Sequence, residues 1–251
     1  MTMAAWPYPL WIAHRGAGKL APENTLAAFR LGAGFGQRAF ECDAKLSADG
    51  VPFLLHDAGL ERTTGATGNA GDRTWAELSR LDAGAWHSPS YVGEPIPTLE
   101  AVARYCLANG FGLDIEIKPT PGTEERTGQV VAETAARLWA GAALPPLLTS
   151  FRPEALAGAQ SEAPALPRAL LLDTLWQGWF DVAVSLGCVA VVTRHTLMDG
   201  PLIERLHGAG QRALVYTVND TQRAQALIAL GIDGIVTDAV DRFAPGQPPG
   251  G

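Results

Sequence analysis

Apolar residues in this chain fall into short runs of strand length, separated for the most part by longer stretches with helical spacing. The runs lie at 10–13, 38–43, 52–56, 112–117, 147–150, 169–172, 189–193, 214–217 and 234–237, and each predicts a β-strand. Helical periodicity covers 25–34, 99–108, 124–139, 153–160, 179–186, 198–209 and 221–229. Strand and helix alternating in this way predict a parallel sheet.

One connection breaks the rule. Only residues 44–51 separate the second and third runs, whereas a parallel crossover needs about a dozen residues. These two runs therefore predict an antiparallel hairpin, turning at Ala48-Asp49-Gly50, where glycine suits a positive φ. Folding the hairpin about Asp49 carries His56 back beside Cys42 and Asp43. Without the returning strand, eight parallel strands remain. The predicted fold is α/β, a (β/α)8 TIM barrel with a small insertion after strand 2 and its chemistry at the C-terminal strand ends. Residues 1–243 are expected to form one domain, with 44–97 as an insertion at the barrel mouth and 244–251 as a flexible tail. Thr98 is a suitable N-cap for the helix that resumes the barrel.

A length of 251 residues suits a single barrel of this kind. No apolar run approaches the roughly 18 residues of a membrane span, so none is expected. The first ten residues carry no Lys or Arg, and no cleavage-like site precedes His14, which argues against a secretory signal. Cys42, Cys106 and Cys188 are odd in number and set in apolar stretches, as buried thiols in a reducing compartment would be. The expected location is cytoplasmic. A net charge of -7 excludes the basic excess that would attract a nucleic-acid backbone.

Within two strand runs, acidic residues alternate. Glu41 and Asp43 share one face of theirs, and Asp114, Glu116 and Lys118 share one face of the other. Carboxylates aimed into an interior are costly unless a cation meets them, and a divalent ion with oxygen ligands is the simplest candidate. Asp114 starts deeper than Glu116 and is expected to pair with a basic residue instead of the metal. His14 and His56 end their strands at the same mouth and can serve as acid and base. Arg15 and Lys118 place cations beside the acids, as recognition of a phosphate would require. Glu23, Asn24, Asn219 and Asp238 read as helix caps or loop-setting residues, and His207 as a solvent-exposed residue. Tyr216, ending the seventh parallel strand, is a candidate substrate contact facing the pocket.

Taken in order, His14-Arg15-Gly16, Pro22-Glu23-Asn24-Thr25, Glu41-x-Asp43, Asp49-Gly50, His56-Asp57, Glu116-x-Lys118 and Thr217-Val218-Asn219 resemble the glycerophosphodiester phosphodiesterase family, short bacterial cytoplasmic members in particular. The resemblance implies divalent-cation-dependent hydrolysis of small glycerophosphodiesters to sn-glycerol 3-phosphate and an alcohol. It also implies Glu41, Asp43 and Glu116 as ligands of one metal ion (Mg2+, Ca2+ or Mn2+), His14 and His56 as the acid/base pair, and Arg15 and Lys118 as phosphate contacts. Tyr216 stands where that family often has tryptophan. A competing reading is a lysophospholipase D or sphingomyelinase-D-like enzyme acting on long-chain lipids, with Trp75, Trp86 and Tyr91 forming an apolar approach.

Overall fold

In the computed structural model, residues 5–243 are described. The tail at 244–251 lies outside them. Nine strands form one sheet: β1 (Trp11–Ala13), β2 (Ala39–Leu46), β3 (Pro52–Leu54), β4 (Gly112–Ile117), β5 (Leu147–Ser150), β6 (Arg168–Leu172), β7 (Ala190–Arg194), β8 (Arg212–Tyr216) and β9 (Gly234–Thr237). Their order is β1-β9-β8-β7-β6-β5-β4-β2-β3, and a β1–β2 pairing closes the ring. Eight strands are parallel, and β3 alone runs antiparallel, against β2. The chain is a (β/α)8 barrel.

Seven helices lie between successive parallel strands: α1 (Leu26–Gly34), α4 (Leu99–Asn109), α5 (Glu124–Leu138), α6 (Pro153–Glu162), α7 (Trp179–Ser185), α8 (Gly200–Gly208) and α9 (Thr221–Ala229). The short helices α2 (Glu61–Thr64) and α3 (Trp75–Leu78) lie between β3 and α4. Local sequence fixes several ends. Thr25, Thr98, Asp199 and Asp220 each accept a hydrogen bond from a backbone N–H of the first turn, satisfying donors that a helix start leaves orphaned. Asp220, not Asn219, is thus the cap of α9, and Thr25, not Glu23 or Asn24, that of α1.

The hairpin forms with Lys45 opposite Phe53 and with Gly50 at φ 82°. β2 runs past the expected residue 43 because its last three residues pair with β3. Apolar side chains divide into a barrel interior, including Ile12, Leu147, Leu171, Val192, Leu214 and Val236, and layers between sheet and helices. From the interior's N-terminal side Tyr8 joins the same cluster, its hydroxyl donating to the Pro145 carbonyl. The excursion between β3 and α4 packs on its own small core of Phe53, Leu55, Leu60, Leu78 and Ile96, with Trp75 against it. The three cysteines are buried and free. Among the described residues no helix is long and apolar enough to cross a membrane.

Helices α5 and α6 approach so closely that a side chain at Gly128 has no room: a Cβ there would sit 1.9 Å from the Ala155 carbonyl oxygen. Gly158 is the reciprocal contact, 2.1 Å from the Glu125 carbonyl oxygen. Backbone atoms cannot give way as a flexible side chain can, so Gly128→Ala must part the helices. Overpacking of this kind costs about 1–3 kcal/mol, the expected loss in urea unfolding, whereas an unchanged midpoint would show that the helices separate freely.

Candidate functional site

Barrel register builds the acidic cluster. β2 and β4 run parallel with Glu41 opposite Asp114 and Asp43 opposite Glu116, so two adjacent rungs each carry two carboxyl groups on the inward face. Glu41, Asp43 and Asp114 are almost wholly buried. One carboxylate oxygen from each of Glu41, Asp43 and Glu116 lies within 4.8 Å of the others. Oxygens bound to a common cation at about 2.0–2.6 Å stand at most about 5.2 Å apart, so this spacing suits one divalent ion. Glu41 Oε1 is buried without a hydrogen-bond partner, an orphan acceptor of the kind a cation would satisfy. The three side chains fit a metal site.

The loop after β1 supplies countercharge and order. Arg15 and Asn24 both adopt positive φ, 52° and 58°, uncommon for residues with a side chain. This backbone turns the Arg15 N–H onto Glu41 Oε2 at 3.0 Å, while the Arg15 guanidinium stands 3.1 Å from Asp43 Oδ2 and 2.9 Å from Glu23 Oε1. Asn24 clasps Asp43 from both sides, its Nδ2 donating to Oδ2 at 2.7 Å and its Oδ1 accepting from the Asp43 N–H at 3.0 Å. Lys118 Nζ lies 3.0 Å from Glu116 Oε1 and 3.5 Å from Asp43 Oδ1.

These contacts separate acids that share one rung. Burial pushes Asp43 up, but Arg15 and Lys118 outweigh it and hold the carboxyl well below its ordinary range. Glu41 is pushed well above its ordinary value, first by burial and then by Asp43 and Glu116. Glu116 rises to about 7 through burial and Asp43, against the pull of Lys118. Burial takes Asp114 to about 8, partly offset by the hydrogen bond from Thr149 Oγ1 at 2.8 Å. Thr149, not a basic residue, is therefore the side-chain partner of Asp114, whose place on the cavity floor favours the neutral acid.

Both histidines reach the mouth. His14 follows β1, its Nδ1 2.6 Å from Asp238 Oδ1 and its Nε2 3.9 Å from Glu41 Oε2. Asp238 is fixed in turn by Asn219, which donates to Oδ2 at 2.9 Å and accepts from the Asp238 N–H at 2.8 Å. His56 has its Nδ1 2.6 Å from Asp57 Oδ1. Burial lowers its pKa below the ordinary imidazole value despite the nearby Asp43. Arg62 forks between Asp57 and Glu23, with Nε 2.6 Å from Asp57 Oδ2 and Nη1 2.7 Å from Glu23 Oε2. His14, Arg15, Glu41, His56, Asp114, Glu116, Lys118 and Tyr216 all line one cavity of ≈ 210 Å³. Tyr216 completes its wall edge-on to Phe151, the ring centroids 5.6 Å apart, with its hydroxyl donating to the Leu172 carbonyl.

Of the eight residues expected at the site, seven line this cavity and the eighth, Asp43, lies beside it with Glu41 and Glu116. Asn24, Asp57, Asp238 and Asn219 were missed as site residues. A signal for Asp238 existed: in a closed barrel β9 neighbours β1, with Thr237 opposite Ala13, so the next residues, Asp238 and His14, must meet. His207, expected exposed, is half-buried with its Nε2 2.7 Å from Asp233 Oδ2, on the helical layer away from this cavity.

The family model described as the glycerophosphoryl diester phosphodiesterase family matches residues 14–242. A glycerophosphodiester phosphodiesterase of Caldanaerobacter subterraneus subsp. tengcongensis is 31% identical over 234 residues, 91% of this chain and 93% of that one. Among solved structures, an Oleispira antarctica phosphodiesterase in complex with the product sn-glycerol-3-phosphate is 34% identical, with a TM-score of 0.88 over 93% of this chain and 94% of that one. A glycerophosphodiester phosphodiesterase from Agrobacterium tumefaciens is 31% identical, with a TM-score of 0.78 over 92% and 96%.

The raised carboxyls make stability depend on pH with a definite sign. Glu116 at about 7 and Asp114 at about 8 hold protons in the folded chain that the unfolded chain, with ordinary values of 4.5 and 3.8, has already released. Stability of the metal-free protein should therefore fall as pH rises from about 6.5 to 8. His56 works the other way, but its contribution fades above about 6.5, the ordinary imidazole value. A divalent cation binds the ionised carboxyls and should reverse the trend. Urea unfolding in chelator and in magnesium measures both slopes, and a chelated protein that gains stability across this window would contradict the electrostatic account.

Proposed function

Because the chain belongs to the glycerophosphoryl diester phosphodiesterase family, we propose that it hydrolyses glycerophosphodiesters, such as glycerophosphocholine or glycerophosphoethanolamine, to sn-glycerol 3-phosphate and an alcohol. The observation that carries this reading is the pair of imidazoles, each with Nδ1 on a carboxylate, in one cavity with two cations and beside the carboxylates of Glu41, Asp43 and Glu116. The Oleispira enzyme's product, sn-glycerol-3-phosphate, supports the same substrate class. In this reading residues 1–243 act as one catalytic barrel domain, with 44–97 as its insertion at the mouth, working in the cytoplasm.

A cation held by Glu41, Asp43 and Glu116, whether Mg2+, Ca2+ or Mn2+, would supply Lewis-acid polarisation of a phosphate oxygen and acidify the glycerol 2-hydroxyl. Arg15 and Lys118 flank that triad and suit the non-bridging phosphate oxygens, whose charge grows in the transition state. Each carboxylate on Nδ1 orients its ring and leaves Nε2 for proton transfer. One imidazole takes the proton of the 2-hydroxyl as its oxygen attacks phosphorus, and the other gives a proton to the departing alcohol. The roles then exchange as water opens the resulting cyclic 1,2-phosphate. Tyr216, T-stacked on Phe151, offers an apolar face for the glycerol carbons.

The long-chain reading has less support. Of its three aromatics, Trp75 packs against the core of the excursion and Tyr91 against the barrel's helical layer, which leaves Trp86 alone exposed, with Arg62 5.9 Å from its ring centroid.

Replacing either His14 or His56 by Ala should lower turnover about a hundred- to ten-thousandfold with folding preserved, since general acid/base groups contribute on that scale. A coupled assay for glycerol 3-phosphate with glycerophosphocholine reads this, and near-normal activity in either variant would remove that histidine from the mechanism. A diester analogue lacking the 2-hydroxyl should not turn over. Hydrolysis at the normal rate would instead establish direct attack by water.

A further inference from the structure

Lys45 stands on β2 two residues beyond Asp43, on the same inward face as Glu41 and Asp43. It is 4% exposed, yet among the described residues no carboxylate lies within 4 Å of its ammonium, and Asp43, Glu116 and Asp57 act on it only from further away. Its one hydrogen bond is a long one, 3.4 Å, to the main-chain carbonyl of Lys118. The other cations here are matched: Arg15 with Asp43 and Glu23, Lys118 with Asp43 and Glu116, Arg62 with Glu23 and Asp57. A buried ammonium with a single weak acceptor has unused donors in a site of low dielectric.

Those donors adjoin a cavity of ≈ 180 Å³ lined by Lys45, Lys118, Ser150 and Arg152, which shares Glu116, Lys118 and Phe151 with the catalytic cavity. Arg152, exposed at the start of α6, likewise has no carboxylate within ion-pair distance among the described residues. The two cavities therefore meet at Lys118. A phosphodiester placed there has two arms, and the glycerol arm, common to every substrate, suits the deeper cavity walled by Tyr216, Leu171 and Val192. The second arm is then directed to the cavity under Lys45 and Arg152.

We propose that this second cavity is a leaving-group subsite in which Lys45 and Arg152 bind an anionic group, a carboxylate or phosphate, carried by the alcohol of the diester. The proposal rests on the phosphodiesterase reading and adds the class of alcohol. Ammonium and guanidinium donors on an anionic oxygen form charge-assisted hydrogen bonds, stronger than neutral ones. A neutral or purely cationic head group would make no such bond with either cation.

The test compares sn-glycero-3-phosphoserine with sn-glycero-3-phosphoethanolamine, which differ by one carboxylate. The serine diester should show the higher kcat/KM in the wild type, and the ratio should fall about tenfold in Lys45→Met, mostly through KM, as expected for a lost charge-assisted contact. Arg152→Gln should lower the ratio in the same direction, and because Arg152 is exposed it carries the test if Lys45→Met does not fold. Loss of activity by the same factor on both diesters would overturn the proposal, leaving Lys45 as general support for the acidic cluster. Calorimetric binding of the two diesters in chelator reads the preference without turnover. Binding preference that persists in a chain hydrolysing neither diester would refute the phosphodiesterase reading and keep the subsite, whereas hydrolysis of both with no preference in the wild type would refute the subsite alone.

Discussion

The structure depends on one electrostatic constraint: Glu41, Asp43 and Glu116 are buried together at the barrel mouth with too little countercharge around them to hold all three ionised. Asp43 takes the larger share of the stabilisation, since the cations Arg15 and Lys118 and the neutral amide of Asn24 all turn towards it, and Glu41 and Glu116 are left as weak acids. Carboxyls crowded in this way are poor packing and good ligands. Energy withheld from the metal-free fold is available to a cation that completes the site. Even the left-handed backbones of Arg15 and Asn24 belong to this balance, because only such a turn delivers a main-chain N–H to Glu41 and a side-chain amide to Asp43 from one short loop.

Barrel closure is the second requirement, and it acts at a distance. His14 and Asp238 are 224 residues apart in sequence, and they meet because β9 pairs with β1. Asn219, one strand further round, braces Asp238, so three successive strand ends of the ring cooperate in orienting one imidazole. The ring thus serves as more than a scaffold. Any change that loosens the β1–β9 seam acts first on His14.

Much of this was legible in the sequence, for physical reasons that differ by residue. Alternation within β2 and β4 placed Glu41, Asp43 and Glu116 on one face, because a strand's side-chain period is two and allows no other arrangement. The short 44–51 connection forced the hairpin and thereby the position of His56. What was not legible were side-chain hydrogen bonds that depend on which ends of the ring meet. Asn24, Asn219 and Asp238 occupy positions where capping is the commonest use of such residues, and for the two asparagines the residue beside takes that role: Thr25 caps α1, and Asp220 caps α9. The sequence suggests a basic partner for Asp114, because nothing in it reveals that Thr149, opposite Glu116 on β5, reaches back to donate to Asp114.

The two histidines carry the same local device, a carboxylate on Nδ1, built in different ways. Asp238, whose side chain is 17% exposed, is held by a neutral amide at the barrel seam. Asp57 is held by Arg62, a half-exposed guanidinium that also spans to Glu23 and lies over the Trp86 ring at 5.9 Å. Exposed ion pairs are screened by salt and yield to local motion, whereas partly buried contacts are screened much less. His14 is therefore tied to the global stability of the barrel, and His56 to the local stability of the excursion between β3 and α4. Because Glu23 also bonds Arg15, the Arg62 fork joins that excursion to the loop holding Asp43. The arrangement couples the orientation of one catalytic candidate to the electrostatics of the metal-fit triad, through a chain of four charged side chains, Asp57, Arg62, Glu23 and Arg15, that runs from the exposed Arg62 to the largely buried Glu23 and Arg15.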